Sequence, residues 1–305
     1  MRVKFWGVRG SVACPGPKTV KYGGNTPCLE LQIEGIDRSI IIDAGSGIRE
    51  LGNSMMRHGL PNGPTPTEIF LTHTHWDHIM GFPFFNPIYE PDFRLQVYGP
   101  ISFENDTLEE VVGGQLSYRY FPVRQAELSA QIEYIQLKEG RLELGDGITV
   151  ITKFLNHTIL CLGYRFEYKD KVFCTAYDTE PFRNLFSTSP TDSVYDDAMA
   201  KEGELTAKEQ NKAIENFISG ADLLVHDSQY TQKEYESSKI GWGHSFFEHV
   251  CATADRAGVK ALALFHHEPI RTDEQIDELA KIYCALGGNG KTEIFFAREG
   301  MEVTI

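Results

Sequence analysis

The stretch Leu71–Gly81, LTHTHWDHIMG, places three histidines and an aspartate within the six residues His73–His78, directly behind the apolar run EIFL. An apolar run of this kind reads as a buried strand, and few folds tolerate so many titratable groups at its end. On an extended backbone, residues two apart face the same way, so His73 and His75 can point together, with Asp77 and His78 following as the chain turns. A divalent cation needs convergent nitrogen and carboxylate donors, and this spacing offers four of them from one strand end. The chain must therefore place that strand end where later segments can complete a metal site.

The remaining sequence supplies such segments. Short apolar or alternating runs bounded by Gly, Pro, Asn or Asp predict strands at RVKFWG, CLELQI, SIIIDAG, EIFLTH and RLQVYG in the first half. IEYIQL, ITVITKFLNH, LGYRFEYKD and KVFCTAYD continue the series. A helix is expected from about Ser46 to Gly59, the glycine serving as its stop. Thr188–Glu204 is polar, acidic and aperiodic, and reads as an exposed loop. Helices are predicted over 206–220, 244–258 and 272–288, the last opened by Thr272 and Gln275 in capping-box spacing. Between them ADLLVHD and ALALFHH read as strands, and 293–305 as a closing hairpin turning at Glu299-Gly300. Strands, helices and strands again are buried most simply by an α/β four-layer αββα sandwich, one domain over residues 1–305 with two similar halves meeting near residue 150.

Composition narrows the partners. The 305 residues carry 29 basic and 43 acidic side chains, a formal charge of −14, which argues against a large nucleic-acid face. A small anion can still be drawn to a locally positive centre. No segment approaches the roughly 20 apolar residues of a membrane span, and the N-terminus lacks the apolar core of a signal peptide. The six cysteines form no C-x-x-C pair, as expected of reduced thiols in a cytoplasmic protein. A homodimer is left open.

The H-x-H-x-D-H pattern of His73, His75, Asp77 and His78 resembles the signature of the metallo-β-lactamase superfamily. The resemblance extends over nearly the whole chain and implies the αββα sandwich, with two metal ions at its edge. It further implies His73, His75 and His157 around the first metal, Asp77, His78 and His266 around the second, and Asp178 bridging. His266 is preferred to its neighbour His267. Zinc suits such a set, and manganese or iron can occupy similar ones. Asp43, in IIIDAG, is a candidate support for the motif loop. The segments ADLLVHDSQY and GWGHSFFEHV resemble the phosphodiesterase branch, which includes tRNase Z-type enzymes. That likeness implies His244 as a contact or proton donor to the phosphate, oriented by Asp227, with Asp77 helping to position the nucleophile.

The expected chemistry is hydrolysis of a small phosphodiester, such as a cyclic nucleotide or cyclic phosphate, by a metal-bridging hydroxide. Three alternatives remain: an RNA 3′-processing endonuclease, a lactone or thioester hydrolase, and a non-catalytic metal-binding protein. The sequence shows no Gly- and Lys-rich insertion like the arm with which tRNase Z enzymes grip tRNA. Arg9, Lys18 and Lys21 are candidates to line the mouth of the site, and Arg119 and Arg124 in SYRYFPVR to cover it.

Overall fold

A computed structural model describes residues 1–60, 66–102, 104, 106–288 and 292–305. The first sheet is assembled from β1 (Arg2–Gly7), β2 (Cys28–Gln32), β3 (Ile40–Ile42), β4 (Thr67–Phe70), β5 (Arg94–Pro100) and β6 (Gln131–Leu137). The second takes β7 (Gly140–Gly145), β8 (Ile148–Leu155), β9 (Cys161–Tyr168), β10 (Lys171–Ala176), β11 (Leu223–Asp227), β12 (Ala261–Phe265) and β13 (Glu293–Phe296). The final strand, β14 (Glu302–Thr304), returns to the first sheet beside β1. Each seven-stranded sheet reads antiparallel through its first four strands and parallel through its last four, in the orders β14-β1-β2-β3-β4-β5-β6 and β7-β8-β9-β10-β11-β12-β13. The two halves are thus alike, as an αββα sandwich requires.

Burial follows from this layering. β3, β4 and β11 are buried at every position, as parallel strands covered on both faces must be. Phe5, Phe70, Tyr164, Phe166, Tyr177 and Phe265 fill the space between the sheets. On the outer face of the first sheet lie α1 (Ile48–His58), the short α2 (Trp76–Ile79) and α3 (Leu108–Gly113). The second sheet is covered by α4 (Asp197–Phe217), followed along the chain by the single turn α5 (Gln232–Glu234), and then by α6 (Phe247–Arg256) and α7 (Asp273–Tyr283). Gly59, just past α1, has φ 101°, and Thr272 and Gln275 form the capping box that opens α7. No helix among the described residues is long and apolar enough to cross a membrane.

Three expectations are corrected. The acidic stretch Thr188–Glu204 is not all loop, because α4 begins at Asp197. The Asp196 side chain caps Met199 N, and Asp197–Lys201 and Glu204–Lys208 pair at helical spacing. The buried face there is made of Ala200, Gly203 and Ala207, too small to register as an apolar stripe. The C-terminal segment is not a hairpin: β13 pairs in parallel with β12, while β14 pairs antiparallel with β1. The turn near Gly300 (φ 77°) carries the chain from one sheet to the other. Finally, the sheets change over at residues 138–139 rather than near 150, since the half-exposed edge strand β7 belongs to the second sheet.

One buried ion pair ties the halves together. Arg38 Nη1 donates to Glu68 Oε1 in β4 at 2.6 Å, while Nη2 reaches Leu144 O at 2.8 Å and Asp146 Oδ2 at 3.1 Å beside β7. The Arg38 and Glu68 side chains are 7% and 2% exposed, so neither charge is well hydrated. Arg38→Ala leaves the Glu68 carboxylate buried without its cation. A loss of about 3–5 kcal/mol is expected, measured by chemical denaturation; an unchanged midpoint contradicts the coupling.

Candidate metal centre

The centre forms where strand ends of both sheets meet along one edge of the sandwich. Asp43 follows β3, Thr72 and His73 follow β4, and Trp76–Ile79 turns Asp77 and His78 inward. The second sheet adds His157 after β8, Asp178 after β10, Asp227 at the end of β11 and His266 after β12. Asp43, Asp178 and His266 all have positive φ (61°, 39° and 61°), a conformation that costs non-glycine residues about 1–3 kcal/mol each. The strain turns each side chain off its strand and toward the others.

The seven side chains nominated from sequence converge. His75 Nδ1 is 3.0 Å from both His73 Nε2 and His157 Nε2. His78 Nε2 is 3.2 Å from His266 Nε2. Asp178 faces both groups: Oδ2 lies 3.5 Å from His73 Nε2 and 3.7 Å from His157 Nε2, and Oδ1 lies 3.3 Å from His78 Nε2 and 3.2 Å from His266 Nε2. Asp77 Oδ2 is 3.2 Å from His266 Nε2 and 3.4 Å from His78 Nε2, and accepts Ser11 N at 2.7 Å. Burial opposes ionisation of Asp77, but His78 and then His266 hold its carboxyl well below the usual range.

A second layer fixes the rings. His78 Nδ1 donates to Asp43 Oδ2 at 2.7 Å, and His157 Nδ1 donates to Gly243 O at 2.8 Å. Asp43 also accepts Thr72 N at 2.7 Å and Thr72 Oγ1 at 2.8 Å, so it joins the motif loop to His78. With their other nitrogens engaged, His78 and His157 direct Nε2 lone pairs inward. Gly243 has φ 80°, and a Cβ there would lie 2.3 Å from His157 Nδ1, so only glycine fits.

These residues fit divalent cations. Imidazole nitrogens converge at 3.0–3.2 Å from one another, close enough to share a cation as common ligands. Asp178 Oδ1 is buried and has no hydrogen-bond partner. His73, His75, His157 and Asp178 form one group able to hold an ion, and Asp77, His78 and His266 another. Histidine and carboxylate donors suit zinc-type dications.

His244 lies beside this cluster. Its Nδ1 is 3.1 Å from Asp227 Oδ2 and 4.0 Å from Asp178 Oδ2, and its ring stacks on His266. Burial disfavours the charged ring, yet the Asp227 carboxylate and its hydrogen bond outweigh this and raise the pKa to about 9. Asp227 Oδ2 is steadied by Ser245 N at 3.1 Å and Thr179 N at 3.3 Å.

His267 and Arg9 are engaged outside the cluster. His267 points away and bonds Ala297 O at 2.7 Å. Arg9 does not line the mouth: fully buried, it donates to Gly23 O and Arg271 O at 2.9 Å each and clamps the N-terminal loop. Lys21 pairs with Asp277, Lys18 and Arg119 are exposed, and Arg124 stacks 4.1 Å over Tyr118.

Two supporting residues escaped the sequence reading, although both stand in motif segments. The Gln229 side-chain amide lies 2.8 Å from His266 Nδ1. Glu180 accepts Gly241 N at 2.8 Å, Gly243 N at 3.0 Å and the Tyr235 hydroxyl at 2.6 Å, and so holds the loop that carries His244.

The comparisons agree with this architecture. No family model matches the sequence. A ribonuclease Z of Lactococcus lactis subsp. lactis (strain IL1403) is 30% identical over 230 residues, covering 66% of this chain and 70% of that relative. The metallo-β-lactamase fold protein YhfI of Bacillus subtilis superposes with a TM-score of 0.62 at 17% identity, covering 99% of each chain. A diphosphatase of the PhnP family superposes at 0.61 with 17% identity, covering 100% of this chain and 97% of the other. The chain belongs to the metallo-β-lactamase superfamily, in its ribonuclease Z-like branch, and is a metal-dependent hydrolase acting on phosphodiesters.

Proposed function

We propose that the protein hydrolyses a small phosphodiester, with a cyclic nucleotide or cyclic phosphate as the best candidate class. The observation that carries this reading is the buried Asp227–His244 pair, which sets a cationic ring 4.0 Å from the shared carboxylate of Asp178. With divalent cations held by the cluster, a phosphoryl group bound beside His244 would meet positive charge from the cations and from the ring. The net charge of −14 supports a small substrate over a long polyanion.

In this reading His73, His75 and His157 hold one divalent cation, Asp77, His78 and His266 hold the second, and Asp178 serves both. Zinc is the preferred metal. Cations bound there supply Lewis acidity toward phosphoryl oxygens and make water acidic enough to yield a nucleophile at neutral pH. The chain's own groups do the rest. Asp77, fixed by Ser11 N, orients the attacking water. His244 donates a hydrogen bond to a non-bridging oxygen and delivers its proton to the leaving oxygen. Asp227 keeps that ring charged and aimed. Asp43, Gly243 and Gln229 hold the ring orientations.

A second reading rests on the name of the Lactococcus relative: endonucleolytic cleavage at RNA 3′ ends. A panel of bis(p-nitrophenyl) phosphate, 2′,3′- and 3′,5′-cyclic nucleotides, a precursor tRNA and a lactone separates the two. Turnover of small phosphodiesters is expected. Cleavage of precursor tRNA alone moves the assignment to the second reading, and lactone turnover alone defeats both.

Three variants test the roles. His73→Ala and Asp178→Ala are expected to lose turnover together with bound metal, read by elemental mass spectrometry. His244→Ala is expected to keep its metal while kcat falls about 10²–10⁴-fold, the range for a lost general acid; an undiminished rate removes His244 from the mechanism. Asp43→Ala is expected to weaken metal affinity about 10–100-fold in competition with a chromogenic chelator.

A further inference from the structure

A cavity of about 220 Å³ opens on the flank of the centre, walled by Tyr230, Glu234, Lys239, Glu268, Arg271 and Gln275 among others. Tyr230 stands between it and His244, the two rings nearly perpendicular with centroids 6.3 Å apart. Tyr230 is 3% exposed, and among the described residues its hydroxyl has no hydrogen-bond partner. The hydroxyl faces the cavity with its hydrogen-bonding positions open, so a ligand atom there can engage it.

The other walls carry the same message. Lys239 ends a π-helical turn, Tyr235–Lys239, of the kind often found at functional sites. Its ammonium lies 3.7 Å over the Trp242 ring and 5.3 Å from the Tyr230 ring, and among the described residues it has no carboxylate partner. Gln275 uses Oε1 to accept Thr272 N, which leaves its amide donors open. Each carboxylate has one oxygen engaged. Glu234 Oε2 accepts Thr231 N at 2.7 Å and Arg271 Nη2 at 3.0 Å, and Glu268 Oε2 accepts Ile270 N at 3.0 Å. Arg271 Nε, buried in the wall, has no acceptor. The groups left open are the Tyr230 hydroxyl, the Gln275 amide, Arg271 Nε and the Lys239 ammonium, together with one oxygen each of Glu234 and Glu268.

We infer that this cavity binds a second phosphate of the substrate, carried on the far side of Tyr230 from the phosphodiester that is cut. The inference rests on the phosphodiesterase reading and narrows it to substrates with an additional phosphate, such as a dinucleotide bearing a terminal one. Lys239 supplies the charge, and Tyr230 and Gln275 supply hydrogen bonds to phosphate oxygens. The Trp242 and Tyr230 rings keep the ammonium in place without neutralising it.

The test compares the dinucleotides pApA and ApA, with bis(p-nitrophenyl) phosphate as a reference, on metal-loaded protein. In the wild type kcat/KM is expected to favour pApA over ApA by at least tenfold, mostly through KM. In Lys239→Ala the ratio is expected to fall toward unity, and in Tyr230→Phe to fall part of the way, with the fold retained. Equal use of the two dinucleotides by the wild type, or a ratio untouched by Lys239→Ala, overturns the inference while leaving the phosphodiesterase reading intact if the reference is hydrolysed. If none of the three is hydrolysed, and the cyclic nucleotides are not either, that reading fails. Calorimetric titration of pApA against ApA then decides the cavity on binding alone: tighter pApA binding lost in Lys239→Ala supports it, and equal binding overturns it.

Discussion

The structure is organised around imidazole and carboxylate groups packed together at the edge of a dry interface. His73, His78, Asp178 and His266 are almost wholly buried, and their inward atoms approach within 3.2–3.5 Å across the cluster. In that packing Asp178 Oδ1 is buried with no hydrogen-bond partner. Divalent cations held by these donors would give that oxygen a partner. The positive φ of Asp43, Asp178 and His266 is understandable on the same terms, because strain persists where the surroundings over-determine a conformation.

The sandwich explains how distant residues meet. In each sheet the parallel strands run with their C-terminal ends toward one edge, where the loops gather, the place where open α/β sheets generally bind ligands. β3 and β4 deliver Asp43 and the His73–His78 loop, while β10, β11 and β12 deliver Asp178, Asp227 and His266. The apolar layer of Phe70, Tyr164, Tyr177 and Phe265 fixes the distance between the sheets and therefore the separation of the two groups. His244 arrives from outside the sheets, on a loop whose glycines are held by Glu180. That loop reaches on to Lys239 and Trp242, so one segment borders both the proposed general acid and the adjoining cavity.

Much of this was legible because strong local signals coincide with the global fold. The HTHWDH segment declares its chemistry through residue type and spacing. The Thr272–Gln275 box and Gly59 mark helix ends that the structure retains. The failures share a cause, which is that long-range context decided against the local pattern. The tail around Gly300 carries a turn signal, but its arms find different partners because β12 and β1 offer open edges. Asp197–Glu204 shows no apolar period, since small residues suffice where α4 approaches its neighbours. Arg9 reads as a surface cation until backbone carbonyls from Gly23 and Arg271 enclose it. Gln229 and Glu180 carry no motif of their own, and their importance comes only from the histidine and glycines they meet in space.

The most direct test of the central claim is anomalous diffraction from crystals of the metal-loaded protein, with data collected on both sides of the metal's absorption edge. Two peaks are expected, one bordered by His73, His75 and His157 and the other by Asp77, His78 and His266, with the Asp178 carboxylate touching both. A single peak away from Asp178, or none at this edge of the sandwich in material that turns over substrate, contradicts it.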